Sequence, residues 1–106
     1  MMDCPPLFAR PGGPYQDAGG FDWADNYLRF GLLSKVAALL ASGVTPLDWK
    51  PDLLHCNDWQ TALAPAYLRY RLPQPAPSVV TIHNLLFQGL FPRPTMAPLD
   101  LPEHSF

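Results

Sequence analysis

The chain predicts an α/β fold with a parallel sheet, on three observations. Two short apolar runs, residues 53–56 and 79–82, are bounded by Pro, Asp, Asn and Ser and read as buried strands. A helical pattern carrying Trp59, Leu63, Tyr67 and Leu68 lies between them. The runs are near-continuously apolar rather than alternating, as expected of strands covered on both faces. Strand, helix, strand implies a right-handed crossover and parallel pairing.

The elements follow in order. Residues 1–4 read as the end of a strand, and residues 1–22 as a Pro/Gly-rich loop region, "PPLFARPGGPYQDAGG". Loops of that length without internal structure are uncommon and are often functional. From 23 to 42 the spacing of Leu28, Leu32, Val36 and Leu39 predicts a helix with an apolar stripe packed on a sheet. Asp22 or Asp25 suits its start and Gly43 its stop. Asn57 or Asp58 suits the start of the second helix. Pro65 either kinks that helix or opens its second part. "PQPAP", 73–77, forms a stiff connection to the next strand. The helix and βαβ core thus run over 23–91, with an irregular Pro-rich tail over 92–106.

Composition excludes some classes. At 106 residues there is room for one modest core. The chain is 48% hydrophobic and 15% charged, which does not fit disorder throughout. A net charge of -2, with scattered Lys and Arg, offers no electrostatic basis for binding nucleic acid or an anionic membrane. No apolar run approaches the roughly 20 residues of a membrane span. No signal-peptide pattern is visible, and two cysteines form no dense framework. Both point to a reducing, cytoplasm-like compartment.

In open α/β sheets, ligands bind outside the carboxyl ends of the strands. His55, Asn57 and Asp58 lie at one such end, His83 and Asn84 at the next, and the Pro/Gly loop supplies a third edge. His83 reads either as a polar contact to substrate or as a structural histidine bonded to a backbone carbonyl. Asp58 reads as a helix cap or as an acceptor of sugar hydroxyls, and the two are compatible. Trp59 reads as core or as an apolar platform for a sugar ring. Zinc on His55, Cys56, Asp58 and His83 is disfavoured, because successive strand residues point to opposite faces. "RPGGP" and "DAGGF" match no nucleotide-binding fingerprint.

Three blocks, "FARPGGPYQDAGGFDWADNYLRFGLLSKVAALL", "KPDLLHCNDWQTALAPAYL" and "VVTIHNLLFQGLFP", together resemble the bacterial glycogen synthase and plant starch synthase family. That resemblance implies part of the N-terminal domain of a GT-B fold, a Rossmann-like parallel sheet with flanking helices. It implies a retaining transfer of glucose from ADP-glucose to the non-reducing end of an α-1,4-glucan. ADP-glucose is there a donor substrate, and no cofactor or metal is expected. On the same basis His83 and Asp58 match catalytic positions. Asp58, Trp59, His83 and Asn84 match the contacts to transferred glucose and acceptor. Asp25, Asn26 and Arg29, in "DNYLRF", match a family block without individual roles. Asn57 stands where many members carry histidine, and Ala9 where an acidic residue is frequent. The family's Lys-x-Gly-Gly-Leu donor loop and its second domain have no counterpart in these residues. The chain is therefore expected to be an inactive internal portion of the N-terminal domain, cytoplasmic in a bacterium or plastidial in a plant or alga. Two rival readings are a non-catalytic glucan-binding module and an unrelated α/β metal or redox protein using Cys4, Cys56 and the histidines.

Overall fold

A computed structural model describes residues 2–73 and 76–106. Its two strands, β1 (Leu54–Asn57) and β2 (Ser78–Thr81), pair in parallel with His55 opposite Val79 and Asn57 opposite Thr81. The βαβ unit expected from the sequence is therefore formed. Of the "PQPAP" connection that leads into β2, residues 74 and 75 lie outside the described residues.

Among the described residues there are three α-helices, α1 (Pro5–Phe8), α2 (Asn26–Ser42) and α3 (Ala64–Arg71), of which α2 packs on both α3 and β1. Residues 2–4 are not in a strand, contrary to expectation. Pro5 and Pro6 instead open α1, and the Cys4 carbonyl accepts from the Leu7 and Phe8 amides. The Pro/Gly region folds further on itself through antiparallel bridges, Gly12 with Asp17 and Gln16 with Asp22. Pro65 does not kink a helix. A 3-10 turn over Trp59–Thr61 comes first, and Pro65 sits in the first turn of α3, where a missing N–H costs nothing.

Gly43 ends α2 in the left-handed region at φ 70°, and its amide bonds to the Leu40 carbonyl. The face α2 buries is not the leucine stripe. Gly31, Ser34, Ala38 and Ala41 are buried, together with Asn26 and Arg29, whereas Leu28, Leu32, Val36 and Leu39 are only half-buried. Small side chains let α2 approach α3 and the 3-10 turn closely. A sheet of two four-residue strands has too little area to cover a second, leucine face.

The core joins Ala38 and Ala41 of α2, Cys56 of β1, and Ala64, Tyr67 and Leu68 of α3 to Met96, Leu99 and Leu101. The last three come from the Pro-rich tail, which carries 3-10 turns at Arg93–Met96 and Glu103–Ser105. Polar contacts hold the tail down. The Tyr67 hydroxyl donates to the Leu99 carbonyl at 2.6 Å, and Lys35 and Arg71 both reach the Asp100 carboxylate.

Candidate functional site

The parallel ladder continues one step past β1, where the Asp58 amide donates to the Thr81 carbonyl at 2.8 Å. Asp58 then takes φ 57° and ψ -176°, a combination that non-glycine residues rarely adopt. This turn aims its carboxylate across the sheet end at His83. One oxygen accepts from the His83 amide at 2.7 Å, and the other meets His83 Nδ1 at 2.9 Å. Asp58 precedes the 3-10 turn but makes no capping bond with its side chain. The Thr61 hydroxyl takes that local role instead, bonding both the amide and the carbonyl of Asn57.

These contacts settle protons as well as positions. The His83 amide, and to a lesser degree its ring, holds the Asp58 carboxyl below the usual carboxylate range against partial desolvation. An ionised carboxylate only accepts, so Nδ1 carries the proton and donates. In neutral His83 the lone pair is then on Nε2, on a side chain 60% exposed. No backbone carbonyl binds this ring among the described residues.

Asp58 opens onto a crevice of about 520 Å³. Trp59, Gln60, Asn84 and Phe87 line it from the strand ends. Tyr15, Gln16 and Asp22 line it from the Pro/Gly loop, and Asn26 from the start of α2. Three chain segments thus meet at one opening, as the topology suggested. His55 and Asn57 do not contribute, and His83 reaches the crevice only through its bonds to Asp58, its own side chain lying outside the lining. His55 Nε2 bonds Thr81 Oγ1 at 2.7 Å on the sheet surface.

Trp59 is both wall and core. Its ring meets Phe30 edge-on at 4.8 Å between centroids and Phe91 at 5.8 Å. Gly89, at φ 60°, lies against the indole so closely that a Cβ there would sit 2.5 Å from Cδ2. Asn84 folds its own loop, with Oδ1 accepting from the Leu86 amide at 2.9 Å.

Asp25 and Asp22 do not cap α2 with their side chains. Asp25 forms a two-bond pair with Arg10, at 2.9 and 2.7 Å, which holds its carboxyl below the usual range. Asp22 accepts from Gln16 Nε2 at 3.2 Å. The loop residues Tyr15 and Gln16 escaped notice in the sequence. Their one signal was a Tyr-Gln pair inside a Pro/Gly-rich loop of a length that is often functional.

Cys4 and Cys56 are free, and burial pushes the Cys56 thiol up. Among the described residues no three His, Cys, Asp or Glu side chains gather as metal ligands. No helix there is long and apolar enough to cross a membrane.

The family model for the starch synthase catalytic domain matches residues 1–106. The chain belongs to that family. It is 60% identical over 105 residues to a glycogen synthase of Aromatoleum aromaticum, covering 99% of this chain and 21% of that protein. A glycogen synthase of Dechloromonas aromatica is 60% identical over 106 residues, and one of Nitrosospira multiformis 55%. The chain spans about a fifth of the length of these relatives.

Proposed function

We propose that this chain forms the glucose- and acceptor-facing wall of a retaining glucosyltransferase. The reaction would move glucose from ADP-glucose to the non-reducing end of an α-1,4-glucan. The observation that carries this reading is the Asp58–His83 pair, locked across the ends of two parallel strands, with Asp58 lining the crevice. Asp58 keeps the Nδ1–H tautomer and leaves Nε2 to accept from a sugar hydroxyl. Its negative charge would favour the positive charge that develops on the anomeric carbon of glucose as the bond to the departing diphosphate breaks. Trp59 offers an apolar edge and Asn84 an amide to the sugars on either side. ADP-glucose serves as substrate, with no cofactor, nucleic acid or membrane in the scheme. The named relatives are bacterial, which supports a cytoplasmic setting over a plastid.

The cations near the crevice are already engaged. Arg10 is held by Asp25, and Arg29 is buried on carbonyl oxygens. The diphosphate therefore needs donors from outside these residues, and the chain alone should not transfer glucose.

The test is a chimera in which this segment replaces its counterpart in the Aromatoleum aromaticum glycogen synthase. His83→Ala should cut turnover by about two to three powers of ten, equivalent to about 2–4 kcal/mol of transition-state stabilisation. Unchanged turnover would remove His83 from the chemistry. The isolated chain, given labelled ADP-glucose and glycogen, should incorporate no more label than its His83→Ala variant.

A further inference from the structure

Arg29 is 4% exposed and Asn26 is 4% exposed, in the first turn of α2. A buried guanidinium is costly unless its donors are satisfied. Here Nε donates to the Leu7 carbonyl at 2.9 Å, and Nη1 donates to the Pro14 carbonyl at 2.8 Å and to Asn26 Oδ1 at 2.6 Å. The rings of Phe8, Trp23 and Phe30 lie within 5.8 Å of the guanidinium carbon. These bonds run to carbonyl oxygens and not to a carboxylate, so this is not an ion pair. Losing the guanidinium would leave the Leu7 and Pro14 carbonyls and Asn26 Oδ1 without this donor, so it also serves stability. What the planar fork adds is a fixed relation among three oxygens on three parts of the chain.

That relation propagates to the crevice. With Oδ1 held by Arg29, the Asn26 amide must present Nδ2 to the Tyr15 carbonyl, at 2.9 Å. The Trp23 amide donates to the same carbonyl at 3.0 Å, and the Gly13 amide closes on Gln16 O at 2.8 Å. Residues 11–16 are Pro, Gly, Gly, Pro, Tyr and Gln, and only Tyr15 has an apolar side chain large enough to anchor the loop. Tyr15 packs on Phe30, and Phe30 packs on Trp59. Tyr15 and Gln16 then face Asp58 and Asn84 across the opening.

We propose that Arg29 is a positioning residue. Through Asn26 it sets the backbone of residues 14–16 as the wall against which the glucan acceptor lies. This rests on the glucosyltransferase reading, and two arms separate the two ideas. In the chimera, Arg29→Lys keeps the charge but loses the fork. Asn26→Asp keeps an acceptor for Arg29 but loses the donor to Tyr15. Both should raise KM for maltoheptaose about tenfold, and in Arg29→Lys, at a residue outside the crevice lining, kcat and KM for ADP-glucose should stay within about threefold, the pattern of lost positioning on one substrate. In the chain itself, Arg29→Lys should speed hydrogen exchange at the Gly13 and Trp23 amides and leave the middle of α2 protected. If His83→Ala leaves chimera turnover intact, the function reading fails, and the exchange arm still decides whether Arg29 holds the loop. A maltoheptaose KM within twofold of the parent in either folded variant overturns the proposal. So does unchanged exchange, or loss of folding in both variants, which would mark Arg29 as structural only.

Discussion

Gly89→Ala tests the packing that fixes Trp59 at the crevice. Two costs add. Gly89 has φ 60°, and placing an L-residue in the left-handed region costs about 1–2 kcal/mol. The new methyl would also lie 2.5 Å from Cδ2 and 2.9 Å from Cγ of Trp59, so something must shift. Those atoms belong to a rigid ring near its root, and Phe30 and Phe91 hem the ring in from other sides. Overpacking of this kind costs about 1–3 kcal/mol. The sum, about 2–5 kcal/mol, is a large part of the stability expected of a small domain. Urea unfolding of the chain and its Gly89→Ala variant reads the difference, provided the slope is unchanged. The indole N–H resonance of Trp59 should move in parallel, because relief requires displacing the ring. A loss under about 1 kcal/mol with an unmoved indole resonance would show that the loop yields freely and that Gly89 does not set Trp59.

Other outcomes follow from single contacts. Tyr67→Phe leaves the buried Leu99 carbonyl without its donor and should destabilise the chain by about 1–3 kcal/mol in the same unfolding assay; equal stability would mean the tail is held by packing alone. Burial first, then the charge of Asp100, pushes the Tyr67 hydroxyl up to about 12. The folded state thus keeps a proton that the unfolded chain gives up near pH 10. Stability from this group is complete below pH 10 and falls as pH rises toward 12, a loss that Tyr67→Phe should abolish in unfolding measured against pH. Asp58 has the opposite sign. Its carboxyl is held low by the His83 amide, so its contribution is complete above the ordinary 3.8 and is lost as pH falls through the depressed value. The His83 amide resonance should report that acid transition, and Asp58→Asn should remove it.

The residues alone determined the local and handed features of this protein. Apolar runs and a helical spacing specified the βαβ unit, and right-handed crossover then dictated parallel strands, with Asp58 and His83 at one sheet end. Gly43 as a stop was equally legible, because a φ preference acts within one turn, whereas Pro65 was narrowed only to a kink or a helix opening and the fold took the opening. The resemblance of three ordered blocks reached the family, which the match over residues 1–106 shows. What tertiary structure decided was the choice among partners of similar local merit. Asp58 had a helix start beside it, but its carboxylate went to His83, 25 residues away. Asp25 could cap α2 but pairs with Arg10. The leucine stripe of α2 promised the buried face, yet the small residues took it, because close approach of α3 needs room that leucines would fill. The loop wall of the crevice was the least legible part. Tyr15 and Gln16 reach it through Asn26 and Arg29, whose hydrogen bonds span 11 to 22 positions of sequence. Patterns along a sequence report periodicity and capping; they carry no record of which distant oxygen a buried guanidinium will find.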